Sequence, residues 1–318
     1  MGLSQWRANT RYYFEHLPVG QAMKATTAEL ALGAYRRVTP YLPQQGTNVY
    51  DRDWDVLVVM DTCRADALQE VADEYEFLPE EVDTITSVGS KTREWMAHTF
   101  TEERSDAVAD TLYVTYNPNS EDALSAEPFC SLYEVWRTSW YADAGGVPAS
   151  AVTDHAITAA REHAGEYDRL IVHYKEPHQP YPELEGFDAH SPKDDDANDR
   201  SGVFGSLIEG DHTHEEVWNG YLDHLRSGLD EVERLLDNVD GQRVAITADH
   251  GDCFGEWGLY GHPGSAPVPE LVRVPWVETT ASDSGESQPK IDLAAASRHG
   301  EGGDVPSVDD QLEALGYQ

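Results

Sequence analysis

The stretch WDVLVVMDTCRADALQEVADEY, residues 54–75, decides the architecture. Five consecutive apolar residues, Val56 to Met60, lead into a polar turn at Asp61 and Thr62, and helical spacing follows. A short continuous apolar run of this kind reads as a parallel strand buried on both faces and feeding a helix.

The same grammar recurs along the chain. DTLYVTYNP (110–118), YDRLIVHYKEPHQPY (167–181) and GQRVAITADHGD (241–252) are strand-like, and helical patterns at 150–166 and 215–239 precede the last two. Strands alternating with helices predict an α/β fold: a doubly wound, mostly parallel sheet with helices on both faces. Ligands of such sheets collect beyond the carboxyl ends of the strands, where Asp61, His173 and the pair Asp249-His250 fall. Residues 1–50 read as an N-terminal helical extension, with QAMKATTAELALGAYRR (21–37) as its main amphipathic helix and Pro40 and Pro43 closing it. Residues 51–278 read as the α/β domain, and 279–318 as a polar tail with a short helix capped by Ser307 and Asp310. Within the domain, FDAHSPKDDDANDRSGVFGS (187–206) reads as a surface insertion or a lid.

The 318 residues carry 22 basic and 59 acidic side chains, a formal charge of −37, which repels phosphate backbones and anionic lipid over most of the surface. Nucleic acid is therefore not an expected partner. Lysine is scarce, and the acids are spread along the chain, as expected of a halophilic protein kept soluble in concentrated salt, with an acidic mesophilic protein as the alternative. Cys63, Cys130 and Cys253 show no C-x-x-C spacing, so neither a disulfide framework nor a structural zinc site is indicated. The N-terminal residues lack a signal-peptide core and no run approaches a membrane span, so the expected location is cytoplasmic.

Asp61 and Asp249-His250, at two strand ends, offer two carboxylates and an imidazole to a divalent cation, with Ca, Mn, Mg and Zn all admissible. Taken singly, each acid also reads as a turn former or helix cap. The loop EGDHTHEEVW (209–218) holds Asp211, His212 and His214 without a strand before it and reads as a solvated loop, leaving one metal. A P-loop, a G-x-S-x-G elbow and the second Asp of a haloacid-dehalogenase site are all missing from the sequence.

VLVVMDTCRADAL (56–68), VHYKEPHQPYPE (172–183) and AITADHGDCFGEWGLYGHP (245–263), in that order, resemble the sulfatase branch of the alkaline phosphatase superfamily. The resemblance spans about residues 54–277, and ELVRVPWV (270–277) matches the strand that commonly follows. It implies Asp61, Asp249 and His250 as metal ligands, with Thr62 standing where the family usually has a second acid. The family's nucleophile position falls in ITSVGSKTREWMAHTFTE (85–102), at Thr92. The sulfatase pattern C-x-P-x-R reads Thr92, Glu94 and Met96 here, so formylglycine chemistry is excluded. A threonine nucleophile is the form used by the phosphatase, phosphodiesterase and phosphotransferase branches.

For Thr92 the bland alternative is a helix cap, by Ser90 or Thr92, and Ser90 is the fallback nucleophile. Lys91 and Arg93 flank it and are candidate clamps for anionic oxygens, or ordinary surface charges. His262 and His178 fall at substrate-side positions of the family and are candidate donors to the ester or its leaving group, with hydrogen-bonding support as the alternative. His173 ranks below them. Asp252 and Glu256 read as scaffold or solvated acids. The family's C-terminal subdomain is nearly absent, so the pocket is shallow or is completed by the N-terminal helices or another subunit of a homo-oligomer.

Together these readings imply a metal-dependent hydrolase or transferase of an anionic ester substrate, with phosphate esters favoured over sulfate. The reading from another class is a non-catalytic binding or assembly module on the same fold, which Thr62 and Met96 support.

Overall fold

A computed structural model of the chain describes residues 3–43, 45–141, 146–182, 184, 202–297 and 305–315. Residues 187–201 of the expected insertion and 298–304 of the tail lie outside the described residues.

Among the described residues one sheet has seven strands: β1 (Val56–Met60), β2 (Asp83–Thr86), β3 (Thr111–Thr115), β4 (Ser131–Glu134), β5 (Arg169–Tyr174), β6 (Gly241–Thr247) and β9 (Arg273–Ala281). Their order is β2-β9-β6-β1-β5-β3-β4. β1 runs parallel to β5 and β6, and β3 parallel to β4 and β5, while β9 is antiparallel to both β2 and β6. β7 (Cys253–Phe254) and β8 (Tyr260–Gly261) form a separate ribbon. The mostly parallel α/β sheet expected from the sequence is the one observed. Every residue of β1 is buried, which its unbroken apolar run requires of a central parallel strand.

The helices are α1 (Leu3–His16), α2 (Val19–Tyr35), α3 (Ala65–Glu70), α4 (Thr92–Thr99), α5 (Ser105–Ala109), α6 (Ser120–Ala123), α7 (Ala149–Glu162), α8 (Val203–Glu209), α9 (His214–Leu236), α10 (Pro269–Val272), α11 (Leu293–Ala296) and α12 (Val308–Ala314). Successive strand residues point to opposite faces, so β5 shows which helices cover which side. Trp95 of α4 packs edge-on against His173, whereas Thr153 of α7 sits 2.9 Å from the Tyr174 hydroxyl. The sheet is therefore covered on both faces. α9 begins at a capping box of Thr213 and Glu216 and buries Val217, Tyr221, Leu225, Leu229, Val232 and Leu236, spaced three or four residues apart.

α1 and α2 form a hairpin whose buried contact is polar: Glu29 accepts from Asn9 at 2.7 Å and from the Tyr13 hydroxyl at 3.0 Å. Beyond β9 the chain stays against the body. Leu293, Ala296 and Leu315 are buried in the main core, and Ser307 and Asp310 form the capping box of α12.

Candidate active site

The carboxyl ends of β1, β3, β5 and β6, with the loop that follows β2, bring their polar residues to one point. Asp61 follows β1 directly, and its Oδ2 accepts from the Tyr116 hydroxyl, from Asn117 Nδ2 at 3.0 Å and from Thr92 Oγ1 at 3.1 Å. Burial alone would raise the pKa of this carboxyl. The charges of His178, His250 and His173 and the Tyr116 hydrogen bond outweigh it, so Asp61 is held well below the usual carboxylate range.

Asp249 uses Oδ1 to accept the backbone N–H of His250 at 2.8 Å and of Thr62 at 3.3 Å. Its Oδ2 is buried with no hydrogen-bond partner, 3.5 Å from His250 Nε2 and 3.8 Å from His173 Nε2. Burial, and then the charge of Asp61, push this carboxyl up to about 7. His250 Nδ1 lies 3.0 Å from the Gly251 carbonyl, which can only accept, so in the neutral ring Nε2 carries the lone pair. That nitrogen sits 3.6 Å from Asp61 Oδ1 and 3.3 Å from Thr92 Oγ1. For His250, burial lowers the pKa but Asp249 and Asp61 raise it further, and the net shift is upward.

Candidate ligand atoms of Asp61, His173 and Asp249 lie within 4.8 Å of one another, all buried. Lone pairs of carboxylates and imidazoles aimed at a common point repel unless a cation stands among them. The unpartnered Asp249 Oδ2 and His173 Nε2, the latter ring held through Nδ1 at 2.9 Å from the Tyr113 hydroxyl, fit a divalent metal. His173 is thus a further candidate ligand, in a cluster with Asp61 and Asp249, and His250 lies beside it with Nε2 3.5 Å from Asp249 Oδ2. Thr62 has φ of 64°. For a β-branched residue this left-handed conformation costs about 1–3 kcal/mol, and it turns the Thr62 N–H toward Asp249. Its own Oγ1 is buried without a partner.

Thr92 is the first residue of α4, after Lys91 at the cap position, and no side chain caps this helix. The cap by Ser90 or Thr92, the alternative to a nucleophile, is thus not formed. Ser90 Oγ, the fallback nucleophile, is occupied in the loop: it lies 3.1 Å from both Glu94 Oε2 and the Pro263 carbonyl, and accepts Ala266 N–H at 3.1 Å. Glu94 also accepts from Ser90 N at 3.1 Å and Ser265 Oγ at 3.0 Å, tying the Thr92 loop to the His262 loop.

Burial would raise the Glu94 carboxyl, but these hydrogen bonds outweigh it and hold it below 4.5. A depressed carboxylate adds stability that is fully present above the unfolded value and is lost as pH falls through the folded one. Glu94→Gln is therefore expected to cost about 1 kcal/mol at pH 7, a gap that shrinks on acidification below about pH 4.5, read from urea midpoints across pH.

His262 Nδ1 lies 2.8 Å from Asp252 Oδ1, and its ring centre is 4.7 Å from that of His250 and 5.2 Å from that of His178. Asp252 is fully buried, and that burial pushes its carboxyl up to about 7. It is the carboxylate that orients His262, not a solvated acid. Glu256 is scaffold, bound to Arg64 at 2.6 Å.

His178 Nδ1 lies 2.7 Å from the Gln179 carbonyl, so this nitrogen holds the proton and Nε2 the lone pair. Burial lowers His178 to about 4, offset in part by Asp61. In the neutral ring Nε2 is therefore an acceptor. Lys91 is half-buried on the His262 side, where its charge adds to burial and to that of His250 in lowering His262. Arg93 does not join the site: its exposed guanidinium pairs with Asp122 at 3.3 Å. His212 and His214 flank the start of α9, with His212 bonded to Ser206.

Tyr116 and Asn117, which orient Asp61, were not singled out in the sequence. The usable signal was their position at the carboxyl end of a strand, shared with His173 and Asp249. Gly251 is required by packing: a Cβ there would run into the Glu270 carbonyl oxygen. Gly251→Ala is expected to lower stability by about 1–3 kcal/mol, measured by thermal unfolding.

No protein-family model matches the sequence, and no curated protein does. Among solved structures, the fold is similar to the integral membrane protein lipooligosaccharide phosphoethanolamine transferase A from Neisseria meningitidis, at 16% identity and a TM-score of 0.44. That likeness covers 77% of this chain and 51% of the other, so the chain spans about half the length of the transferase. A 2-O GAG sulfatase matches at 12% identity over 83% of this chain and 70% of its own, with a TM-score of 0.41. The lipoteichoic acid synthase from Listeria monocytogenes matches at 12% identity over 83% and 72%, with a TM-score of 0.37. At these values the likenesses carry no assignment of activity, which rests on the geometry of the site.

Proposed function

We propose that the chain is a metal-dependent hydrolase or transferase of anionic esters, phosphate esters in preference to sulfate, with Thr92 as nucleophile. The observation that supports it is the placement of Thr92 Oγ1, 3.1 Å from Asp61 Oδ2 and 3.3 Å from His250 Nε2. Asp61, Asp249, His250 and His173 would hold the cation, and two imidazoles among the ligands favour zinc over calcium or magnesium. Such a cation, when bound, neutralises charge on the transferring group and lowers the pKa of a nearby hydroxyl.

The protein's own groups supply the rest. Tyr116 and Asn117 hold Asp61 so that its Oδ2 accepts the Thr92 hydrogen and fixes the direction of Oγ1. Asp252 holds His262, and Gln179 holds His178. The His262 ring lies 4.7 Å from that of His250 and 5.2 Å from that of His178, so both imidazoles are candidates to exchange a proton with the ester, its leaving group or the water or alcohol that releases the group. Lys91 adds positive charge on that side. The absence of a Cys, Pro and Arg pattern around Thr92 is what favours phosphate over sulfate.

The test is an assay of the purified chain in high salt with nitrophenyl phosphate, bis-nitrophenyl phosphate and nitrophenyl sulfate, each with zinc, manganese, magnesium and calcium. Phosphoester turnover that needs one of these metals is expected. Faster sulfate turnover would overturn the substrate preference, and no turnover under any metal would favour the binding module.

A further inference from the structure

Charge and apolar exposure are both distributed unevenly, and they coincide. Residues 1–50 hold five basic against two acidic side chains, net +3, whereas the remaining 268 residues hold 17 against 57, net −40. Of the two acids, Glu29 is buried between the helices and Glu15 pairs with Arg11 at 2.8 Å, so the outer side of α2 carries no acid at all. Among the described residues ten large hydrophobic side chains are exposed, and eight of them fall within residues 3–42. On α2, exposed Val19, Met23 and Leu30 share one stripe, beside the face that buries Ala22, Ala25 and Glu29. Val38, Tyr41 and Leu42 continue the apolar surface past its end, with Tyr41 87% exposed.

We propose that the α1–α2 hairpin docks the protein on an anionic lipid surface, lying in the plane of the interface. A bilayer with acidic headgroups offers both things the hairpin lacks, apolar depth for Met23 and Leu30 and negative charge for Arg7, Lys24 and Arg37. A second copy of the chain offers only one at a time. Two hairpins face to face match apolar surface but set net positive charge against net positive charge. The acidic body matches the charge, but its exposed large hydrophobics among the described residues are Tyr141 and Trp257 alone. No helix of the described residues is long and apolar enough to cross a membrane, so the contact is peripheral. The net charge of −40 on the remaining residues opposes this approach, with a repulsion that falls off over a screening length of about 8–10 Å.

The hairpin also abuts the site. A Cβ on Gly258 would lie 2.7 Å from the Ala25 backbone nitrogen, and Arg36 Nε donates to the Gly264 carbonyl at 2.9 Å, two residues past His262. Docking through α2 therefore brings the His262 loop to the lipid surface.

The experiment is flotation of the whole chain with vesicles of phosphatidylcholine alone or with about 30% phosphatidylglycerol, which reads binding without any turnover. Co-flotation with the anionic vesicles is expected, at least tenfold weaker with the neutral ones. The double variant Met23→Asp, Leu30→Asp, altered only at exposed positions and checked for fold by circular dichroism, is expected to lose it by tenfold or more. No co-flotation with either vesicle, equal binding to both, or undiminished binding by the variant would overturn the proposal. So would a dimer that the variant dissociates in a chain that ignores vesicles.

Discussion

Thr92→Ala is expected to lower phosphoester turnover by at least about 10³-fold, while Thr92→Ser retains activity within about tenfold. The hydroxyl is fully buried at the head of α4 and shares Asp61 Oδ2 with Tyr116 and Asn117. Removing it takes away the attacking atom and leaves the carboxylate with its two other donors, so the fold should survive. Serine restores Oγ without the methyl group and so separates chemistry from packing. The comparison that decides is kcat for wild type, Thr92→Ala and Thr92→Ser at saturating metal, beside Ser90→Ala. Ser90 is held by Glu94, Pro263 and Ala266, so its loss should affect stability more than turnover. Equal rates for wild type and Thr92→Ala would refute the nucleophile.

Asp249→Asn is expected to reduce metal content from about one equivalent per chain to below about 0.1, an affinity loss of more than about 100-fold, with turnover lost in parallel. The amide oxygen can still accept from Thr62 and His250, so the turn after β6 keeps its shape. The oxygen that is replaced is the buried Oδ2, which faces His250 Nε2 and His173 Nε2 at 3.5 and 3.8 Å. An NH₂ group there donates to those nitrogens and relieves in the metal-free protein the repulsion that a cation would otherwise relieve. The metal-free variant should therefore unfold at the same temperature as metal-free wild type or higher, which distinguishes a lost ligand from a damaged fold. Elemental analysis after dialysis reads the first effect and a thermal scan in chelator the second. A variant retaining a full equivalent of metal would remove Asp249 from the ligand set.

How much of this the sequence revealed depended on how each residue advertised itself. β1 and β6 were plain, because a strand buried on both faces has to be apolar throughout, and the first polar residues after such runs are the ones a sheet presents at its edge. Asp61 and Asp249-His250 were found on that ground. Tyr116 and Asn117 stand at the same edge, but tyrosine and asparagine are also ordinary strand and turn residues, so composition did not separate a group that orients a carboxylate from one that ends a strand. Asp252 was hidden by number: among 59 acids a single buried one has no mark of its own until its imidazole partner is seen. Lys91 and Arg93 stand on either side of Thr92, one in the extended cap position and one in the helix, and only coordinates show which remains near the site. The helices of the N-terminal hairpin were legible from their spacing. That their apolar residues face outward was not, since periodicity names a stripe without saying what covers it.

β6 lies between β1 and β9 in the sheet, although about 180 residues of chain separate it from β1. During synthesis Asp61, Thr92, Tyr116 and His173 are all complete before Asp249 leaves the ribosome, and until β6 pairs with β1 the centre of the sheet is an open edge. The cluster therefore cannot assemble before β6 is made, and no fragment ending before that strand carries all of its residues. The winding order of the sheet acts as a timer, delaying the site until β6 has been made.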